Sequence, residues 1–297
     1  MKTTERTAMN SSPPVLDETN FDQWQPVRIL GKLFRFYLLL PNHPFKVRVE
    51  NLLGKTLFRR GIFLHGHSAT LCLDANDWIT RILLEEGNYE KHSLMLAKQL
   101  LAQGGNFLDV GANFGLYTCI LGAIPKVRCI AVEPSPEMHL LLKRNLALNP
   151  SIHAIKAHVA LSSSFNLARL FCPNDGNKGT SRIVIGQDDV LENYDIVACA
   201  PLFDLLDEIG ISPIHLMKID IEGHEMEVFK EFDFASKYRP ANIIVEFVPS
   251  HVRDGLSLKA YGDFFRERGY SLYTVTGEPL DQDSEIPENN IWLKSAD

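Results

Sequence analysis

The chain has 297 residues, of which 45% are hydrophobic and 23% are charged, so it can bury a large core and is not disordered throughout. The net charge of -7 at pH 7 argues against a protein that coats nucleic acid, because such proteins carry a basic surface. The apolar run over residues 36–40 is far shorter than the roughly 20 residues of a membrane span.

The cysteines and the N-terminal sequence favour a cytoplasmic location. The five cysteines are odd in number and no pair has the spacing C-x-x-C, which indicates free thiols in a reducing compartment. The first 20 residues contain no apolar segment of the kind found in secretory signals. We therefore expect a cytoplasmic enzyme or binding protein.

Basic residues are concentrated between Arg28 and Arg60. This stretch has eight lysines and arginines and one acid, Glu50, a local excess of seven positive charges in an acidic chain. A solvated face is the simpler interpretation. A contact for an anionic substrate, a partner or a membrane surface is the alternative.

Composition divides the chain into three parts. Residues 1–20 are rich in Ser, Thr, Pro and charge, and are expected to form a disordered tail. Residues 21–87 mix short apolar runs with turns, which predicts an N-terminal accessory region of short strands and helices. Residues 88–297 form the main domain, in which strand and helix patterns alternate.

In the main domain, Asn88 is expected to cap a helix that ends at Gly104, and Ser135 to cap a helix that ends near Asn149. Further helices are predicted from Phe114 and at LFDLLDEIG, EMEVFKEF and LSLKAYGDFFRERGY. Apolar runs predict strands at NFLDVGA, VRCIAVEP, IHAIKAHVALS, HLMKIDI and NIIVEFV.

This alternation predicts a doubly wound, mostly parallel sheet, because parallel strands are connected by helices and are apolar on both faces. The segment NLARLFCPNDGNKGTSRIVIG carries two strand-like runs around a polar turn and predicts an inserted hairpin. The turn over residues 174–180 is either a lid or a simple connection. SLYTV and NNIWLK are expected to close the sheet as an antiparallel pair.

A glycine turn follows the first of these strands. Asp109, Gly111, Asn113 and Gly115 lie between a strand and a helix, where glycine allows close approach of a ligand. The helix N-terminus is expected to offer free N–H groups to a ligand carboxylate or phosphate. Glu133 lies 22 residues beyond Gly111, at the end of the next strand, where an acid can accept both hydroxyls of an adenosine ribose.

The glycine spacing separates two classes of ligand. Dinucleotides favour the pattern G-x-G-x-x-G, in which Asn113 and Leu116 would both be glycine. The sequence fits the tighter loop of S-adenosylmethionine-binding proteins better.

A second acidic cluster follows two later strands. Asp220, Glu222 and His224 come at the end of HLMKIDI, and Glu246 ends NIIVEF. Carboxyl ends of strands meet at the ligand crevice of a doubly wound sheet. We therefore expect Asp220, His224 and Glu246 to be catalytic, and Asp220 and Glu222 to contact the cofactor. No metal is expected, although Asp220, Glu222 and Glu246 could instead hold a divalent cation. Glu225 is expected only to favour a helix start.

At these residues the chain resembles the FkbM family of methyltransferases. The matching segments are FLDVGANFGLYT, AVEPSPEMHLLLKRNLALN, VALSS, GTSRI, LMKIDIEGHEMEVF and NIIVEF, in the order of the family. The resemblance implies a Rossmann-like domain, S-adenosylmethionine as methyl donor and usually a hydroxyl acceptor on a sugar or polyketide-type molecule. It places the cofactor on the glycine turn and Glu133. His224 departs from the family, which often has a small residue there, so its catalytic role is our own inference.

The sequence therefore predicts an S-adenosylmethionine-dependent O-methyltransferase that acts on a small-molecule or sugar hydroxyl, without nucleic acid as partner. Three alternatives remain: a nucleic-acid methyltransferase, a non-catalytic adenosylmethionine-fold binding protein and an NAD-dependent oxidoreductase. Tyr89 and Glu90 either border the cofactor pocket or simply begin a helix. The identity of the acceptor and the oligomeric state do not follow from the sequence.

Overall fold

The computed structural model describes residues 21–172, 181–184, 194–248, 257–281 and 284–296. The strands are β1 Gln25–Pro26, β2 Ile62–Gly66, β3 Ala69–Leu73, β4 Gly105–Val110, β5 Val127–Val132, β6 His153–Ala157, β7 Ala160–Leu161, β8 Asn166–Phe171, β9 Arg182–Val184, β10 Tyr194–Ala200, β11 Leu216–Ile219, β12 Asn242–Glu246, β13 Tyr270–Thr274 and β14 Asn290–Ser295. The helices are α1 Ile29–Leu38, α2 Lys46–Thr56, α3 Trp78–Glu85, α4 Lys91–Leu100, α5 Leu116–Gly122, α6 Pro136–Leu148, α7 Leu202–Ile209, α8 Glu225–Lys230 and α9 Leu258–Arg266, and Pro287–Asn289 form a 3-10 helix.

The central sheet has seven strands in the order β13-β14-β12-β11-β4-β5-β6. Neighbouring strands from β12 to β6 run parallel, and β14 runs antiparallel to both β12 and β13. The predicted doubly wound, mostly parallel sheet and the antiparallel closing pair are confirmed.

The strand order reverses between β4 and β11, which pair in parallel with Asp109 opposite Lys218. Apolar side chains of these strands enter cores on both faces of the sheet. Phe107 packs with α4, α5 and α6, whereas Leu108 and Ile219 pack with α7, α8 and α9. The reversal opens a crevice at the carboxyl ends of β4 and β11, and the glycine turn and Asp220 lie there.

Residues 21–87 form the small antiparallel sheet β1-β2-β3 and helices α1, α2 and α3. Asn145 of α6 and Asn149, the residue after this helix, bind the free edge of this sheet. Asn145 Oδ1 accepts from Cys72 N–H, and Asn149 Oδ1 accepts from Thr70 N–H, both at 2.8 Å. The region shares one hydrophobic core with the main sheet. The predicted tail, residues 1–20, lies outside the described residues.

The inserted hairpin is confirmed by β8 and β9, which pair antiparallel. Its turn over residues 174–180 lies outside the described residues. The strands extend into a second sheet of order β7-β10-β8-β9. The prediction of one strand over IHAIKAHVALS is wrong, because the segment divides between β6 of the large sheet and β7 of the small one. Strand β10 was not predicted.

The predicted cap of α4 is also wrong. The helix begins at Lys91, and the residue before it, Glu90, adopts a left-handed φ of +48° without capping by its own side chain. The cap comes from the far end of the chain. Glu288 accepts hydrogen bonds from the N–H groups of His92 and Ser93 at 2.8 and 2.9 Å, and from the Ser93 hydroxyl at 2.6 Å. By contrast, Ser135 caps α6 as predicted.

We predict that Glu288→Ala lowers the free energy of unfolding by about 1–3 kcal/mol, because three donors lose a charged acceptor at the start of α4. The matched control is Glu285→Ala, an exposed acid three positions earlier, which should leave stability unchanged. Urea denaturation of the two variants and the wild type measures the difference. Equal stability of both variants would mean that Glu288 is not a cap.

Candidate active site

The glycine turn brings the ends of β4 and β11 into contact. Gly111 has a φ of +79°, and a Cβ there would lie 1.9 Å from the carbonyl oxygen of Asp220. No side chain fits this position. Gly115 has a φ of +89° and faces Leu142, which a Cβ would meet at 2.6 Å. Asn113, with a φ of +52°, occupies the left-handed region that few residues other than glycine tolerate.

The backbone N–H groups of the turn itself are already used within the protein, whereas the expectation that the N-terminus of α5 offers free N–H groups stays a prediction. The N–H groups of residues 111–115 all donate within the protein, to Val132 O (Gly111 and Ala112), Glu133 Oε2 (Asn113), Asn113 Oδ1 (Phe114) and Ala112 O (Gly115). Phosphate sites at helix N-termini depend on free backbone donors. The turn is therefore poorly suited to the diphosphate of a dinucleotide, which weighs against an oxidoreductase.

Glu133 is buried at the end of β5 with only 5% of its surface exposed. Its two carboxylate oxygens accept hydrogen bonds from the N–H groups of Asn113 and Ser135, both at 2.7 Å. Burial raises the pKa of Glu133 to about 7, although these two hydrogen bonds oppose the rise. A carboxylate has about four lone-pair sites, so Glu133 retains acceptor capacity for a ligand.

A cleft of about 550 Å³, the Glu133 cavity, lies on one side of the glycine turn. The four-stranded sheet β7-β10-β8-β9 covers this cleft through Ala160 of β7, Leu170 of β8 and Ile183 of β9. His224, the residue before α8, is 2% exposed and also lines this cavity. The inserted hairpin thus forms one wall of the site.

A second cleft, the acidic cavity, lies on the other side of the turn and measures about 670 Å³. Its aromatic wall includes Trp78 of the accessory region, Tyr89 just before α4 and Tyr117 of α5. Five acids line it, namely Glu90, Asp109, Asp220, Glu222 and Glu246. Three residues border both cavities: Gly111 and Asn113 of the turn, and Asp220.

Lys218 is the single lysine or arginine among the residues that line the acidic cavity. Its Nζ donates to Asp220 Oδ2 at 2.9 Å, lies 3.6 Å from Glu90 Oε2 and is 4.8 Å from the centre of the Tyr117 ring. Burial alone would lower the pKa of Lys218, but Asp220 and Glu90 outweigh it and hold the pKa well above its ordinary value. The lysine is a fixed positive charge among the acids.

The remaining acids hold their protons more tightly than in water, mainly because they are buried. Burial raises the pKa of Asp109 to about 6, against the opposing hydrogen bond from the Thr118 hydroxyl. Burial and the nearby Asp220 carboxylate raise the pKa of Glu222 to about 7 and that of Glu246 to about 10. A cationic ligand would relieve this accumulation of acids.

The structure brings most of the sequence-predicted site residues to the crevice but separates their side chains. Glu222 and Glu246 line the acidic cavity, His224 lines the Glu133 cavity, and Asp220 lines both. Glu225 accepts from the N–H groups of Ile221 and Gly223 and so supports the turn before α8. Among the residues that the structure describes, no group of three His, Cys, Asp or Glu side chains is arranged to hold a metal ion.

Sequence reasoning missed Lys218 and Tyr117. Lys218 left a signal, since it is the only charged residue within the apolar β11. Tyr117 left none, because an aromatic residue in an apolar helix normally indicates core packing. Its hydroxyl donates to Glu90 Oε2 at 2.7 Å, and Glu90 itself lines the acidic cavity next to Tyr89.

The fold and the crevice define the class: a doubly wound α/β domain with a glycine turn at the strand-order reversal and a buried acid on the next strand. The family model described as "Methyltransferase FkbM domain" matches residues 109–272, more than half of the chain. The chain belongs to the FkbM methyltransferase family. It is therefore a methyltransferase that uses S-adenosylmethionine.

Two proteins of similar sequence are named methyltransferases. Methyltransferase sdnD of Sordaria araneosa is 31% identical over 175 residues, covering 49% of this chain and 68% of the relative. Methyltransferase 1 of Beauveria bassiana is 26% identical over 161 residues, covering 48% of this chain and 64% of the relative. An O-methyltransferase structure from Bacillus cereus, in complex with SAH, has 14% identity and a TM-score of 0.38, with 69% of this chain and 80% of that chain covered.

We predict that Glu133 makes the protein less stable as the pH rises. Its pKa is about 7 in the folded chain against an ordinary 4.5, so between these values the folded state binds more protons than the unfolded state. The free energy of unfolding therefore falls with rising pH across this window. Glu133→Gln should reduce the difference in unfolding free energy between about pH 5 and 8 by on the order of 2 kcal/mol.

Denaturant unfolding at the two pH values measures this difference. Any loss of stability in the variant that does not depend on pH is the same at both values and cancels in the comparison. The control is Glu137→Gln, four residues along on the exposed surface of α6, which should keep the wild-type pH dependence. A Glu133→Gln variant that keeps it too would contradict the raised pKa.

Proposed function

We propose that the chain is an O-methyltransferase that transfers a methyl group from S-adenosylmethionine to a hydroxyl of a small-molecule or sugar-type acceptor. One observation carries the proposal: Asp220 borders both the Glu133 cavity and the acidic cavity. A single carboxylate can thus lie beside the cofactor and the acceptor together. The free thiols of all five cysteines fit a reducing, cytoplasmic setting for this reaction.

The residues around the glycine turn fit this cofactor. We assign Glu133 to the ribose hydroxyls, because it is a buried carboxylate with spare acceptor capacity. Gly111, Asn113 and Gly115 form a turn through which backbone rather than side chains faces the ligand. Asp109 supports this turn from within the strand through its hydrogen bond from the Thr118 hydroxyl.

The acidic cavity fits the charged part of the cofactor. S-adenosylmethionine carries a sulfonium and an ammonium group, and its bound sulfonium supplies an electrophilic methyl group. Glu90, Asp220 and Glu222 offer carboxylates to these cations, with Lys218 as the one opposing charge in the cavity lining. The carboxylate of the ligand has Lys218 as its counter-ion. An uncharged or anionic ligand would not reduce the electrostatic repulsion among these carboxylates.

The chain must also remove the proton of the acceptor hydroxyl, a task in which a general base typically contributes about 10²–10⁴ in rate. We propose Asp220 as this base, since it is the carboxylate shared by both cavities and is fixed by Lys218 at 2.9 Å. Glu246, with its pKa raised to about 10, carries its proton at neutral pH and is suited to donate a hydrogen bond to the acceptor. His224 is the alternative base.

Isotope transfer tests the proposed reaction. The protein is incubated with S-adenosylmethionine labelled in its methyl group and with a small-molecule extract, and products are separated by mass spectrometry. We expect a small molecule that gains one labelled methyl on oxygen, located by NMR. Label that enters nucleic acid, or that is bonded to nitrogen or carbon, would overturn the proposed acceptor class while leaving the methyltransferase assignment in place.

We predict that Glu133→Ala weakens binding of S-adenosylmethionine and of its demethylated product by about 10–150-fold, the cost of about 1.5–3 kcal/mol for losing a charged hydrogen-bond partner. Isothermal titration on the folded variant measures the affinity. Glu137→Ala on the exposed side of α6 should bind as the wild type does. Unchanged affinity in Glu133→Ala would remove Glu133 from the cofactor site.

We predict that Asp220→Asn lowers turnover by about 10²–10⁴ at saturating cofactor, because the base is lost. His224→Gln should lose less than tenfold and keep the acid limb of the pH–rate profile over about pH 5.5–9. Cofactor affinity is measured in parallel to separate binding from chemistry. A large loss in His224→Gln, with the acid limb abolished, would transfer the base role from Asp220 to His224.

A further inference from the structure

Helix α1 has two apolar faces, and within the described residues only one of them is buried against the rest of the protein. Phe34 and Leu38 are buried in the core. On another side of the same helix, Ile29, Leu33 and Phe36 follow the spacing i, i+4, i+7, and they are 77%, 59% and 65% exposed. An apolar stripe with this spacing normally faces the protein core, but in α1 it faces solvent.

Helix α2 also exposes apolar side chains. Val47 and Leu52 of this helix and Phe45 just before it are exposed. The two helices adjoin, because Lys46 Nζ donates to the carbonyl oxygens of Leu38 and Leu40 at 2.7 and 2.6 Å. We name the exposed side of residues 27–60 the α1–α2 surface.

The α1–α2 surface is also strongly cationic. Residues 28–60 contain eight lysines and arginines, and Lys32 and Arg48 are exposed. The single acid of this stretch, Glu50, is buried and ion-paired with Arg81 at 3.0 Å. The segment therefore presents cations and apolar side chains to solvent without a carboxylate of its own, on a chain whose net charge is -7.

We propose that the α1–α2 surface binds an anionic lipid bilayer. A helix with an apolar stripe flanked by lysine and arginine lies in the plane of the interface, with its apolar side chains among the acyl chains and its cations at the lipid phosphates. Nucleic acid offers phosphates but gives Ile29 and Phe36 little apolar surface to enter. A second copy of the chain would bring two sets of eight cations together.

Binding in the plane agrees with the length of the helices. Helix α1 has 10 residues and α2 has 11, whereas a span needs about 20. In the part of the chain that the structure describes, no helix is long and apolar enough to cross a bilayer. The surface thus docks the protein without inserting it.

One helix connects the α1–α2 surface with the acidic cavity. Helix α1 packs against α3, and Trp78 and Ile79 of α3 line the acidic cavity. Trp78 is half exposed, and tryptophan favours the interface between lipid and water. Docking itself does not depend on the proposed methyl acceptor.

Vesicle co-sedimentation of the full chain tests the inference, with phosphatidylcholine vesicles compared with vesicles that also contain phosphatidylserine. We expect binding that rises with the phosphatidylserine content and falls with salt. Leu33→Glu and Phe36→Glu should each lower it by at least about tenfold, and Lys32→Gln and Arg48→Gln by about fivefold each. The matched control is Leu167→Glu on β8, where an equally apolar side chain is 73% exposed on a different surface.

The thermal unfolding temperature and the affinity for S-adenosylmethionine verify that each variant is folded. Failure to bind phosphatidylserine vesicles would overturn the inference, as would wild-type binding by Phe36→Glu. If Phe36→Glu did not fold, the exposed Lys32→Gln would decide by the same comparison. A dimer in sedimentation equilibrium that Leu33→Glu dissociates would assign the surface to a second copy instead.

Discussion

Gly111 and the carbonyl oxygen of Asp220 are in a contact so close that a single Cβ would abolish it. This contact joins the ends of β4 and β11, the two strands between which the order of the sheet reverses. It places Asp220 at the border of the two cavities, next to the glycine turn. The turn then satisfies its N–H groups with Val132, Glu133 and its own residues. The turn itself therefore contributes shape to the site rather than free backbone donors.

The second constraint is electrostatic. Five acids line one cavity with one lysine, and burial makes each proton on Asp109, Glu222 and Glu246 harder to remove. Such an arrangement costs stability in the empty protein and favours a ligand with positive charge. Lys218 keeps the cluster from being wholly acidic, and its contacts with Asp220, Glu90 and Tyr117 connect β11, the start of α4 and α5 around the cavity.

The accessory region contributes to the site as well as to the core. Trp78 and Tyr89 from the N-terminal part of the chain form the aromatic wall of the acidic cavity. The inserted hairpin closes the other cavity through Leu170 and Ile183. The doubly wound sheet thus supplies the turn and most of the acids, whereas the accessory region and the inserted hairpin supply walls of the two cavities.

Local sequence determined the sheet, the glycine turn and α6. These features depend on residues that are close in the sequence, so pattern and spacing were sufficient to predict them. They include the apolar runs of β4 and β11, the cap at Ser135 and the glycines at 111 and 115. The acids at 133, 220 and 246 were found because each ends a strand, and strand ends meet in this fold.

Tertiary structure decided what depends on contacts between distant segments. Glu288 caps α4 across nearly the whole chain, so no local pattern could have placed the start of that helix at Lys91. Asp220, His224 and Glu246 were expected in one crevice, but the glycine turn divides this crevice into two cavities. The cavity that each residue lines is set by tertiary packing rather than by strand order. Lys218 was readable only as an exception in an apolar strand, because its role arises from the acids that folding brings around it.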